Sequence, residues 1–513
     1  MEKMMSKKEE SLEKTPQWLA VGITLLSLLL YIVTLAPDML WGGGDFATFQ
    51  TRAYTLEIEP GVFGHPLWVI LAHPFTYLPI RNIAWRANLA SAVFAALAVL
   101  FVFLTAWHLT RSRVASLLAT GALVVSHTFW TYAVLPKVYS LNALLLSACI
   151  YLLLRWHSSQ KGGYLYAFII VYAISQFNHL VMATAALGFL VFVIAVFWQN
   201  RHLPAMRRQF FISIGVAVLS LLPYILVLLY GESSGGSVGT IITFLKGLGY
   251  LVTTPKALLI GLGWGVALLL YQFPITIIPG FVGLRQCWKE TPLRNWLLLL
   301  VALGNVIFLM AAVDPRTGGD YVWNLHYYLQ SYIVFSLWIA IGIKHILPQF
   351  EKLPYKWAGV VVLTIFVPVT AYIVTPMVAR VMLQNVPGFR ELPGRDNFTF
   401  VLSPWKHTET QAREFAESML DALPQDGVLL ADYSLWSMIR YLQVIEGQRP
   451  DVTLVRMPFA GSHAQVPLLE QYISQPNVFI ADTWRYYDMQ EIEARFEVIP
   501  VPPIYRIIPK ENR

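Results

Sequence analysis

The residues most able to do chemistry fall in a few short polar stretches. The first reads APDMLWGGGDFATFQTRAYTLEIEPGVFGHPLW and carries Asp38, Asp45, Glu57, Glu59 and His65. Three glycines precede Asp45, and glycine lets a backbone turn sharply or approach a ligand closely. A carboxylate placed there can act as a general base, taking the proton from a hydroxyl as that hydroxyl attacks an anomeric carbon. The same Asp45 can equally cap a short helix starting at Phe46. The stretch LPKVYSLN offers Lys137, Tyr139 and Asn142; Tyr139 also fits the interface-anchor role common for tyrosine at a membrane surface. Asn178-His179 interrupts a long apolar run, as a tight turn between two spans or as a ligand-binding pair, since histidine at membrane depth tends to be functional. In DPRTGGDYVWNLHYYLQSY, Arg316 lies between Asp314 and Asp320. Its guanidinium matches phosphate oxygens and can equally pair with a neighbouring aspartate. Where the leaving group is a phosphate, which gathers negative charge as it departs, His65, His179 or Arg316 is expected beside Asp45 to stabilise it. Asp432 and Asp482 end two apolar runs near the C-terminus, where open α/β sheets bind ligands, but no glycine fingerprint accompanies them.

The elements that must hold these residues are set by composition. Of 513 residues, 56% are hydrophobic and 13% charged, against about 25% charged in soluble domains. Lipid is therefore the solvent for most of the chain. Apolar segments occur at about 18–36, 65–80, 87–110, 114–135, 138–155, 164–178, 180–198, 209–231, 257–284, 295–313, 326–347 and 357–379. The basic N-terminal stretch MEKMMSKKEESLEK leads into the first of them with no small-residue cleavage site, which reads as a retained span. The segment at 65–80 carries Pro66, Pro74 and Pro79, which break helical hydrogen bonding. If it does not cross, 17 Lys/Arg collect on the side of the N-terminus and 7 on the other up to the last span. The positive-inside rule then gives about eleven crossings plus one re-entrant segment, with a cytoplasmic N-terminus.

Three regions follow: a tail at 1–17, a membrane domain at 18–379 with its first outer loop at 37–86, and an α/β domain at 380–513 outside the membrane. In the last, GVLLAD, VTLVRM and NVFIAD read as short buried strands between helices such as TETQAREFAESMLDAL and SLWSMIRYLQVIEG, implying a small parallel sheet. NFT at 397–399 is a glycosylation sequon. Cys149 and Cys287 are too few for a zinc site. With no basic stripe and no recognition motif, nucleic acid is excluded as a partner.

The order WGGGDF, GHPLW, WRANLASA, SHTFWTYAVLPKVYSLNAL and ISQFNHL resembles the family of membrane proteins that includes the animal transmembrane O-mannosyltransferase of plexin-type receptors. That family typically reads W-D-S-G-E-F, H-P-P-G-x-P-L, F-W-x-x-A-x-x-x-E-V-Y-x-L-N and G-N-H at these places. The resemblance covers about residues 25–200 and extends more loosely over the rest. It implies a GT-C type fold with its active site on the outer face, and transfer of a sugar from a polyprenyl-phosphate donor with inversion. An acidic residue of the first outer loop would be the base, and metal independence is favoured, with no cofactor. Asp45 stands at the family's Glu. His65, Trp130, Tyr139, Asn142, Asn178 and His179 match family positions. Gly42, Lys137 and Leu67 depart from it, standing where the family has Asp, Glu and the second Pro. Asp38 could replace the missing acid, at a different spacing.

The expected function is a membrane glycosyltransferase moving a sugar, mannose in the resembling family, onto a protein or glycan acceptor hydroxyl. A flippase of lipid-linked sugars and a catalytically silent scaffold of the same fold are the alternatives. A bacterial plasma membrane is the expected location.

Overall fold

The computed structural model describes residues 16–41, 45–59, 64–230, 246, 254–312, 324–350, 356–387 and 389–510. The N-terminal tail before residue 16, the three glycines before Asp45, and Arg316 with its neighbouring aspartates lie outside them.

The apolar runs form helices. Among the described residues, six are long and apolar enough to cross a bilayer: Ile83–Thr110, Tyr139–Ser159, Leu180–Gln199, Pro292–Ala311, His326–Ile346 and Gly359–Met382. Two further bent pairs, Arg113–Val124 with His127–Ala133 and Leu258–Gln272 with Ile277–Glu290, bring the total to eight if each is one span. The second pair turns by 112° where the sequence suggested one continuous segment. Its break falls at Phe273-Pro274: proline lacks the N–H a helix needs and disfavours helical geometry in the residue before it, and Phe273 sits at φ −135° and ψ 60°. Gln17–Val33 and Gly162–Ser175 are shorter apolar helices.

The proline-rich stretch at 65–80 forms a helix at Pro66–Ala72 and a 3-10 turn at His73–Tyr77. Seven helical residues rise only about 10 Å, against roughly 30 Å of hydrocarbon, so this stretch lies at one end of the bundle.

Helix contacts in the membrane domain rely on small residues. A Cβ on Gly342 would fall 1.7 Å from the Pro279 carbonyl oxygen, and one on Gly283 1.8 Å from that of Trp338. Only glycine permits so close an approach, and without a hydrophobic drive between helices in lipid that contact carries the packing. Nearby, the Trp338 indole donates to Asn295 Oδ1 at 3.0 Å.

The C-terminal residues build a five-stranded sheet of order β2-β1-β3-β5-β4. Strands β1 (Val428–Ala431), β2 (Thr453–Arg456) and β3 (Val478–Ile480) are parallel, as the sequence suggested. The sheet is mixed, however. β4 (Phe496–Val501) and β5 (Ile504–Pro509) form a hairpin, and β5 pairs antiparallel to β3. Two strands separated by Pro502-Pro503 leave no length for a crossover, so they must run antiparallel.

This domain caps the end of the bundle that carries the first loop. Arg413 forks onto both carboxylate oxygens of Asp38, at 2.6 and 3.1 Å. Arg440 pairs with Glu57 at 2.7 Å, the Tyr441 hydroxyl accepts from the Ala84 N–H, and the Lys406 N–H donates to the Thr34 carbonyl at 3.0 Å. The sequon residue Asn397 is buried, with its amide donating to Asn385 and to the Arg390 carbonyl; no glycan fits there in the folded chain. Asp432 and Asp482, at the ends of β1 and β3, both pair with the Arg390 guanidinium. Their carboxylates are thus engaged inside the domain, where the sequence left room for a ligand crevice.

Candidate active site

Asp45 occupies the cap position of the helix Phe46–Thr55, yet its side chain makes no capping bond. The carboxylate turns instead to the Lys137 ammonium, with which it forms an ion pair. Lys137 also lies over two rings of the same helix, 5.2 Å from the Phe46 centroid and 5.7 Å from that of Phe49. These contacts hold the cation through ring electrostatics. The Lys137 side chain is 12% exposed and that of Asp45 40%, so the carboxylate stays reachable while the cation is packed.

His65 adopts φ 51° at the start of Pro66–Ala72, a left-handed conformation in which histidine is enriched among non-glycine residues. Its Nδ1 donates to the Asn178 carbonyl at 2.7 Å, since a carbonyl can only accept. The Leu67 N–H donates to the Phe177 carbonyl at 3.2 Å. Asn178, fully buried, donates from its side chain to the Val138 carbonyl at 3.0 Å. One asparagine thereby ties the His-Pro segment and the Lys137–Tyr139 turn to the break before His179. His179 Nδ1 accepts from the Val181 N–H at 3.0 Å, and its ring stacks on His65 at 5.1 Å and 11°.

Tyr139 completes the cluster, 5.6 Å from the His179 ring. It is joined by residues to which the sequence reading assigned no role. His326 lies 4.2 Å from Tyr139 and accepts or donates at 2.9 Å with the Tyr132 hydroxyl. Tyr327 shares a hydrogen bond with Tyr139 and packs against His179. The signal for His326 was present: it opens a span within the quoted HYY, and histidine at membrane depth was the criterion applied to His179.

Burial governs the charge here. It pushes His65 down to about 4; the cations Lys137 and Arg52 add to the shift, and the bond to Asn178 and the charge of Asp45 oppose it. Burial also holds His179 below the ordinary range, helped by His65 and Lys137. Near neutral pH both imidazoles are uncharged. The two histidines, expected as sources of positive charge, are thus neutral here, and among the described residues the cation paired with Asp45 is Lys137.

Other residues singled out from the sequence lie elsewhere. Asp38 is taken up by Arg413 and Asn82 and ties the first loop to the C-terminal domain. Trp130 is buried, with its indole donating to Thr34 at 2.8 Å and its ring against Trp405. Asn142 is buried one turn into its helix, and its side-chain oxygen has no partner among the described residues. Among the described residues no three His, Cys, Asp or Glu side chains converge to hold a metal ion.

The helical bundle with its capping mixed sheet is a GT-C-like fold. It matches ArnT from Cupriavidus metallidurans at a TM-score of 0.59, over 95% of this chain and 96% of that one at 12% identity. It matches the same protein bound to undecaprenyl phosphate at 0.57. An oligosaccharyltransferase from Archaeoglobus fulgidus, tethered to an acceptor peptide, matches at 0.53 over 97% of this chain and 74% of that one at 10% identity. Within this class the chain is similar to the TMEM260 proteins. Residues 45–203 match the N-terminal domain described for protein O-mannosyl-transferase TMEM260. Protein O-mannosyl-transferase tmem260 of Dictyostelium discoideum is 21% identical across 88% of this chain, and TMEM260 of Mus musculus 23% across 90%. The matches span 59% and 66% of those relatives' lengths.

Proposed function

We propose that this protein is a membrane glycosyltransferase that moves a sugar, mannose by its similarity to the TMEM260 proteins, from a polyprenyl-phosphate donor to an acceptor hydroxyl. The observation that carries the reading is the side chain of Asp45. It stands at a helix cap but leaves that role, remains partly exposed, and faces a cation within a cluster of neutral histidines and tyrosines.

Asp45 takes the acceptor proton as the acceptor oxygen bonds to the anomeric carbon. The bond from that carbon to the phosphate oxygen breaks, and the lipid phosphate leaves as an anion. Attack opposite the leaving group inverts the anomeric centre. Lys137 is the cation that meets the departing phosphate, and charge stabilisation of this kind is a large share of the rate. Similarity to enzymes named for protein O-mannosylation makes a protein the favoured acceptor.

The orientation follows the same reading. Arg111, Arg155 and Arg294 gather around His108, at the end of the bundle away from Asp45. By the positive-inside rule that end is cytoplasmic. Asp45 and the C-terminal domain then lie outside, and about eleven crossings with the 65–80 stretch as a surface segment keep the ends consistent.

Purification followed by mass spectrometry of bound lipids tests the donor class. Co-purifying polyprenyl-phosphate lipids, exchangeable for added undecaprenyl phosphate, are expected. A protein that neither carries nor binds such lipids contradicts the proposal.

A further inference from the structure

His65 and His179 are two neutral rings whose tautomers are fixed by main-chain bonds of opposite sense. His65 gives its Nδ1 proton to the Asn178 carbonyl, so its Nε2 carries a lone pair. His179 receives the Val181 N–H on Nδ1, so its Nε2 carries the proton. Both Nδ1 atoms bond the same Asn178–Val181 stretch, so each Nε2 points away from its own main-chain partner, and the two rings stack at 5.1 Å. Among the described residues neither Nε2 atom has a hydrogen-bond partner. An acceptor and a donor are thereby presented together, next to Asp45 and Lys137, whose charges act on His65.

From this geometry we infer that His65 and His179 form a matched acceptor–donor pair that recognises a hydroxyl group, leaving the phosphate to Lys137. A hydroxyl can give its proton to the His65 Nε2 lone pair or take the one on the His179 Nε2, so hydroxyl oxygens suit both atoms. A phosphate dianion only accepts, and would leave its oxygens facing the His65 lone pair. The inference rests on the proposed function and extends it: it assigns hydroxyl selection to two residues that carry no charge. The hydroxyl belongs either to the donor sugar or to the acceptor.

Asparagine is the informative replacement. In His65→Asn the amide still donates to the Asn178 carbonyl, and in His179→Asn the side-chain oxygen still caps Val181, a role asparagine fills well. Each variant keeps the main-chain bond and deletes the outward nitrogen together with the ring that carries it. The full chain in lipid nanodiscs is titrated with undecaprenyl phosphate and with its mannosyl ester, and turnover is measured against a serine/threonine peptide.

Each variant is expected to bind undecaprenyl phosphate as the wild type does. If the sugar supplies the hydroxyl, the mannosyl lipid binds about fivefold more weakly, the worth of one hydrogen bond. If the acceptor supplies it, both lipids bind normally and KM for the peptide rises by about the same factor. Loss of undecaprenyl phosphate binding in parallel with the mannosyl lipid overturns the inference, because the pair then contacts phosphate. Unchanged values in both arms overturn it as well and leave the rings a packing role. A wild type that binds neither lipid removes the proposed function itself, and this inference with it.

Discussion

Asp45 and Lys137 show how a site residue departs from a motif without losing the logic of the site. Lys137 stands where the resembling family carries Glu, and from the sequence alone that change counts against activity. In the fold the ammonium reaches the Asp45 carboxylate and is packed over Phe46 and Phe49. It places a cation in a cluster whose histidines are kept neutral by burial. Lys137→Gln keeps most of the length and removes the charge. It is expected to lower turnover of a polyprenyl-phosphate sugar by about 100-fold, the scale of losing one group that stabilises developing charge. Steady-state turnover at matched expression measures this; wild-type turnover in Lys137→Gln means the leaving phosphate is neutralised by another group. The identity of Asp45, His65, Tyr139 and His179 as neighbours was legible in the order of motifs. The contribution of Tyr132 and Tyr327 was not, because it arises only when the start of a late span meets the turn at Lys137.

The elements around the site were read well where apolar length alone decides them and less well where a break or a pairing does. From Ile83 to Gln199 the helices follow their apolar runs closely, except that the run at 114–135 bends by 67° between Val124 and His127. The run at 257–284 looked continuous, because hydropathy is blind to the bend that Pro274 imposes. The hairpin β4–β5 was missed although FEVIPV and IYRIIP alternate in strand fashion, since neither is a continuous apolar run like GVLLAD or NVFIAD. Asp38 illustrates a different gap: its partner Arg413 is 375 positions away, and no local pattern announces it. The pair is partly buried, with side-chain exposures of 13% for Asp38 and 22% for Arg413, and Arg413 also holds Glu446 and Glu417. Arg413→Ala strands a carboxylate between the first loop and the C-terminal domain. A loss of about 2 kcal/mol is expected, below the 3–5 kcal/mol for breaking a fully buried pair. Thermal unfolding in detergent, with limited proteolysis of the C-terminal domain, reads the effect. An unchanged midpoint and cleavage pattern would show that the interface holds without this arginine.

On the scale of the whole molecule, one end of the bundle gathers the first loop, the Lys137 turn, the His179 break, the start of the last buried span and the capping sheet. The other end gathers Arg111, Arg155 and Arg294. This polarity underlies the proposed orientation, in which every residue of the candidate site lies on the outer face. A reporter active only in the cytoplasm, fused after the last residue, is expected to stay silent, whereas the same reporter inserted at the Gln160-Lys161 turn is expected to be active. Strong activity from the C-terminal fusion reverses the orientation and puts the site on the wrong side for an exported acceptor.

The central claim is that the Asp45 carboxylate is the base. Asp45→Asn preserves size and the approach of Lys137 but cannot take a proton. Turnover of a polyprenyl-phosphate-linked sugar by wild type and Asp45→Asn, at matched expression and with lipid binding verified, tests it most directly. The expected result is a fall of about 100-fold to 10,000-fold, the usual cost of losing a positioned base, with the lipid still bound. Equal turnover by the two proteins would contradict the account and leave Asp45 as a structural partner of Lys137.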